Sequence, residues 1–208
     1  MKKFLKPLVV AFALLVSVGA SAQLPLSFGI NAGMNLSNVG GDIDDTDAKV
    51  GFQVGVTADL ALPMNFFLQS GLSFTTKGYK GNGFVLKDGV ASDADITSNA
   101  MYLQLPIRAG YKLVSLPGLN LNVNAGPYFA HGIGGKTKYE SRIGDVKNDT
   151  FSKYELKRFD VGLGFGVGAE ITKFTVNLGY EFGLINISKV DVYDIKNRNA
   201  FLTVGYKF

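Results

Sequence analysis

Arg108 and Glu181 are the side chains of this 208-residue chain whose types and settings most invite chemistry. Each lies on the polar side of a stretch in which apolar and polar residues alternate, and Gly164 and Gly166 leave room beside Glu181. Opposite charges taken out of water demand one another, and removing one member of such a pair is costly. The expectation is an Arg108–Glu181 ion pair that packs an interior; an ion or proton pathway is the competing reading. A second set, Asp59, Lys112, Glu170 and Lys207, lies within a residue or two of one end of the polar faces, two acidic and two basic. His131 is the sole histidine. A catalytic histidine needs a nucleophile and an orienting acid; here Phe129 and Ile133 share its face and no Gly-x-Ser-x-Gly elbow occurs. It reads as an interfacial side chain.

Two charged segments complete the candidates. Asp42, Asp44, Asp45 and Asp47 are clustered, but their spacing lacks the sixth-position glycine and late glutamate of a calcium loop, so they read as a solvated loop. Lys136, Lys138, Arg142, Lys147, Lys153, Lys157 and Arg158 are interspersed with Tyr139, Phe151 and Tyr154. Glu140, Asp145, Asp149 and Glu155 largely balance them, which makes a mixed-charge surface with the capacity to meet anionic headgroups or a protein partner. No cofactor or metal site and no catalytic cluster emerges.

These residues need elements to hold them, and the period of the sequence names the element. Val161, Leu163, Phe165, Val167, Ala169 and Ile171 recur at every second position, separated by Gly162, Gly164, Gly166, Gly168 and Glu170. After Thr172 and Lys173 the pattern resumes with Phe174, Val176, Leu178, Tyr180 and Phe182. A period of two marks a two-faced β-strand, and a two-residue gap marks a hairpin. The same alternation predicts strands over residues 26–36, 50–60, 66–77, 101–113, 119–133 and 198–208, eight in all. Pro106 cannot donate to a strand ladder, so a local bulge is expected there. Connections alternate between short ones near Pro63, Pro117 and Thr172 and long polar ones over residues 37–49, 78–98, 134–157 and 186–197. Alternation persists at places in the third long connection, which points to strands continuing past the apolar band.

The apolar face of every strand lacks Lys, Arg, Asp and Glu; Ser70, Thr76 and His131 are its polar exceptions. One charge at the middle of a bilayer costs about 2–4 kcal/mol. Such a surface suits lipid, and hydrocarbon accepts strands only in a closed sheet without edges. Phe66, Tyr111, Phe174, Tyr206 and Phe208 lie toward the short turns, and Phe52, Phe74, Phe129 and Phe182 toward the long loops, as two interfacial girdles require. The expected fold is all-β: an eight-stranded antiparallel up-and-down transmembrane β-barrel over residues 23–208. An eight-stranded lumen is filled by its own side chains.

Ahead of it, Lys2, Lys3 and Lys6 precede an apolar run and Ala20-Ser21-Ala22, the form of a cleavable signal peptide over residues 1–22. That segment carries three of the positive charges behind the formal net charge of +4, so the remainder is close to neutral and no nucleic-acid partner is indicated. The chain has no cysteine, hence no lipid-anchor site and no disulfide framework.

Tyr206-Lys207-Phe208 resembles the terminal signature of bacterial outer-membrane barrels, and Tyr102-Leu103-Gln104-Leu105-Pro106-Ile107 resembles a strand of the PorT-like outer-membrane β-barrel domain family. Gly126-Pro127-Tyr128 and the segment from Phe182 to Asn186 are similar to that family too. The resemblance implies outer-membrane lipid as surroundings, insertion by the barrel-assembly machinery with Tyr206 and Phe208 as its signature, and no reaction. Both termini are expected on the periplasmic, short-turn side. The leading expectation is a plugged barrel with a structural or partner-binding role, an envelope protein meeting its long loops. The alternatives are a transport-class protein, either a narrow channel or a secretion component, and a soluble lipocalin-like binder, which would place Phe165, Leu178 and Val204 inside.

Overall fold

In the computed structural model, described over residues 25–42, 46–87, 90–142, 144–152, 156–190 and 194–208, the chain forms one antiparallel sheet. The expected signal peptide, Asp44, Asp45, Lys153, Tyr154 and Glu155 lie outside the described residues. The strands are β1 (Leu26–Gly41), β2 (Thr46–Ala61), β3 (Phe66–Lys87), β4 (Val90–Leu116), β5 (Leu119–Ser141), β6 (Val146–Asp149), β7 (Phe159–Ile171), β8 (Phe174–Gly183) and β9 (Ile195–Lys207). Neighbours run β4-β3-β2-β1-β9-β8-β7-β5, and β4 pairs β5, so eight strands close into a ring. The ninth, β6, was not among the eight expected strands; it pairs β5 through Lys136↔Asp149 to Tyr139↔Val146, beyond the stretch of β5 that pairs β7.

Period-two alternation dictates the two faces. The apolar set points out: Phe165 is 52% exposed and Leu178 55%. The polar set points in: Arg108 is 8% exposed and Glu181 2%. This sidedness excludes the lipocalin-like arrangement. The hairpin Ile171↔Phe174 closes through Thr172, whose φ of 58° fits the left-handed geometry of a two-residue hairpin. Gly118, at φ 78°, serves the β4–β5 turn in the same way. Polar groups on the outward face are met by backbone. Ser70 donates to the Pro106 carbonyl at 3.0 Å, and Thr76 Oγ1 accepts from the Phe52 N–H at 2.9 Å. Aromatic pairs mark both ends of the apolar band, with Phe66–Tyr111 and Phe174–Tyr206 toward the short turns and Phe52–Phe74 toward the other end.

Two expectations are corrected. Residues 78–87 and 90–98 are strand rather than loop: β3 and β4 pair on through Lys87↔Val90, because alternation of polar with small residues is enough for a ladder whose neighbours are already in register. Pro106 produces no bulge. The sums of paired positions are unchanged from Ser70↔Ile107 to Ser73↔Gln104; the ladder omits the pairs between them, which accommodates the missing N–H without shifting the register. The irregularities fall elsewhere, between Ala48 and Gln53 on β2 and, on β4, between Lys112 and Val114 and between Met101 and Tyr102. At the latter, Tyr102 faces Gly132 and Met101 faces Gly134, so β5 carries one extra residue and its inward parity changes from even to odd.

Candidate functional site

The interior of the ring holds the chain's charged chemistry. Arg108 comes from β4 and Glu181 from β8, and their side chains meet across the interior, Arg108 Nη2 to Glu181 Oε1 at 2.8 Å. Gly164 lies opposite Glu181 on β7, and a Cβ there would stand 3.1 Å from Glu181 Cγ and 3.3 Å from Arg108 Nη2. The glycine makes the space in which the pair forms. Gln104, two inward positions from Arg108, donates to the same Glu181 Oε1 at 2.8 Å. Asn199 of β9 donates to Oε2 at 3.3 Å.

Lys77 and Asp160 enlarge the pair to a four-charge network. Lys77 Nζ lies 3.4 Å from Glu181 Oε2 and 4.0 Å from Asp160 Oδ2. Asp160 accepts further from Tyr128 Oη at 3.1 Å and from Asn197 Nδ2 at 2.9 Å. The Lys77 ammonium sits 4.3 Å from the centre of the Tyr128 ring, and the Arg108 guanidinium 4.9 Å from that of Phe201. Two cations thus face two carboxylates in a space where each is buried, the condition under which buried charge is tolerated. Parity alone put Lys77 and Asp160 on the inward face. Counting their height on β3 and β7 against Glu181 was the signal that would have joined them.

Above the network, toward the long connections, the interior becomes apolar. Tyr102, Tyr128, Phe151, Leu156, Ile187 and Ile195 form one buried cluster with Val39, Ala100 and Ala130. Phe151 and Leu156 lie in the β6–β7 connection and Ile187 in the β8–β9 connection, so two loops fold into the mouth. Phe151 packs edge-on against Tyr102 with ring centres 5.6 Å apart, and Lys189 Nζ donates to the Phe151 carbonyl at 3.0 Å. Sequence reasoning missed this cap because it read the connection by its charges.

Below the network, toward the short turns, lies a polar cavity of about 150 Å³ whose lining includes Asn31, Gln53, Gln69, Asn122 and Asn177. A polar cavity of this size has room for several waters. Gln104 Oε1 and Asn31 Oδ1, both on this lining, meet no protein donor. The structure brings three of the four predicted rim charges together: Lys207 Nζ lies 2.8 Å from Asp59 Oδ2 and 2.6 Å from Glu170 Oε2. Lys112 lines the cavity but joins no ion pair among the described residues. Tyr206 packs between Phe174 and Phe208 on the outside of the ring, and Phe208 N–H donates to the Phe28 carbonyl. His131 lies on the outward face opposite Leu103 and Phe159, away from the interior charges. Among the described residues no group of three or more His, Asp or Glu side chains is placed to hold a metal ion.

Comparison with known proteins adds the following. Residues 20–189 match the family described as outer membrane protein beta-barrel domain. Among solved structures, the chain is similar to Ail, the attachment invasion locus protein of Yersinia pestis, at 18% identity over 88% of this chain and 98% of that one, with a TM-score of 0.46. It is similar to Neisserial surface protein A at 13% identity over 87% and 97%, TM-score 0.46. It is also similar to the N-terminal β-barrel domain of Pseudomonas aeruginosa OprF at 11% identity over 86% and 97%, TM-score 0.32. No curated protein matches the chain.

Proposed function

Since the chain belongs to the outer membrane protein beta-barrel domain family, we propose that it is a plugged barrel with a structural or partner-binding role and no catalysis. The observation that carries this reading is the filled interior. The four-charge network around Glu181 spans the ring from β3 to β8, and the Phe151–Leu156–Ile187 cap lies over it. The short-turn cavity is bounded on its inner side by Gln104, Arg108 and Glu181 of that network. In this reading residues 1–22 are a signal peptide removed on export, both termini are periplasmic, and the long connections face outward. Tyr206 and Phe208 serve as the assembly signature for the insertion machinery. The Tyr102–Ile107 strand supports placement in the PorT-like subgroup, with Tyr102 and Gln104 inward and Leu103 outward. Strands β3, β4 and β5 with β6 continue well beyond the apolar band, and they are the surface offered to an envelope partner.

Planar-bilayer recording of the purified barrel tests the plug. The expected record has no sustained conductance steps at moderate voltage. Reproducible steps from the unaltered protein would favour the transport-class reading instead.

A further inference from the structure

Beyond the apolar band, the outward face of β3–β6 separates its charges by height. Lys80 of β3 pairs with Thr97 of β4, Thr97 with Lys138 of β5, and Lys138 with Lys147 of β6. One row across four adjacent strands therefore presents three exposed lysines. The row nearer the band contains Gly78, Asn99, Lys136 and Asp149. Lys49 leans into it, donating from Nζ to Asn99 Oδ1 at 2.7 Å. The row farther out carries Asn82, Asp95 and Glu140, and Asp93 and Asp145 join these acids at the tip. Apart from Asp47 and Asp149 below and Arg142 at the tip, lysines lie low and acids lie high on this face.

That ordering matches a layer of negative charge just outside the hydrocarbon. Met101 and Ile133 are the outward apolar side chains beneath the rows. At about 3.3 Å per residue, Thr97 stands about 13 Å along the strand from Met101, and strand tilt brings it lower. Lysine stems reach back toward an interface with their charge in the headgroup layer. The placement is otherwise unfavourable. Lys138 and Lys147 are directly opposed, and like charges so placed destabilise a sheet. Burial, and then the neighbouring Lys80 charge, hold the Lys49 ammonium below its ordinary range. Among the described residues the nearby carboxylates form no ion pair with these lysines. Asp149 accepts the Phe151 N–H at 2.9 Å, and Asp47, paired with Lys80 on β2, forms no ion pair with it. An anion from outside the protein would complete the row.

We propose that Lys80, Lys138 and Lys147, with Lys49 and Lys136 beneath them, form a strip that binds the phosphate groups of anionic lipids in the surrounding leaflet. The strip rests on the reading above that the long connections face outward. Several cations spaced at strand separations of about 5–10 Å engage more than one phosphate at once, and each contributes through charge rather than shape.

The test uses native mass spectrometry of the detergent-purified full barrel, mixed with equal amounts of phosphatidylcholine and a bisphosphorylated glucosamine lipid. The expected spectra retain the phosphorylated lipid, and the triple variant K80Q/K138Q/K147Q loses about tenfold of that retention. R142Q, at the acidic tip, keeps it. Heat-shifted gel mobility checks that each variant is folded; K138Q alone, expected to lose about threefold, replaces the triple variant if that fails to fold. Equal retention of the dephosphorylated lipid, or unchanged retention by the folded variants, overturns the strip. The orientation is read separately, by labelling intact cells with a membrane-impermeant amine reagent. Lysines reached only after the envelope is opened would overturn the outward placement while leaving the lipid measurement in detergent to stand or fall by itself.

Discussion

Toward the long connections, the interior charges are buried: Glu181 is shared by Arg108, Lys77, Gln104 and Asn199, apolar loop side chains lie above, and the polar cavity reaches Arg108, Gln104 and Glu181 from below. Toward the short turns, Lys207 bridges Asp59 and Glu170 beside a cavity with room for water. The ion-pair distances in the two regions are similar, from 2.6 to 3.4 Å for the close contacts. Distance therefore does not rank them. What differs is the fate of a charge whose partner is removed. In the covered half it remains largely desolvated; at the rim, water replaces the lost partner. The same chemistry is obligatory in one place and dispensable in the other.

Glu181→Ala should break this comparison most sharply, because it strands Arg108 and Lys77 together. A loss of about 3–5 kcal/mol in urea unfolding from lipid vesicles is expected. A loss below about 1 kcal/mol would show that water reaches the network and that the halves are alike. Phe151→Ala opens the apolar cap from the loop side and should cost about 2–3 kcal/mol, less than truncation in a rigid core because the loop can settle. It should also speed hydrogen exchange at the Tyr102 and Tyr128 amides. No change in exchange would mean that the cap does not shield the network from the loop side.

Lys207→Ala tests the wet half, with an expected loss of about 1 kcal/mol or less that shrinks as salt is raised. A salt-independent loss as large as that of Glu181→Ala would erase the distinction. The smallest effect is expected at the end of the wet half, where backbone rather than charge is limiting. Thr172 holds a left-handed φ of 58° with a β-branched side chain, and Thr172→Asn should gain about 0.5 kcal/mol, read as a raised urea midpoint. A loss there would show that the threonine side chain does more than close the turn.

Much of this molecule was readable from residue order. Alternation in Val161–Ile171 and Phe174–Phe182 announced the hairpin, and the absence of charge from one face announced which side meets lipid. Arg108 and Glu181 were marked as interior by the same count. The count failed where a strand gains a residue. At Ile133 the inward parity of β5 changes, which turns Thr137 inward and Lys136 and Lys138 outward. It also failed in the β6–β7 connection, where the many charges concealed that Phe151 and Leu156 are buried.

Residue order by itself determined the strands' two-sidedness, since that follows from a local period of two and needs no partner. Only the closed ring decided that Lys77 and Asp160 share Glu181's network, that Lys112 stays outside the rim bridge, and that two loops fill the mouth. Those meetings depend on the register in which eight strands close and on where bulges shift it. Register is a property of paired strands, and a single strand's sequence does not carry it.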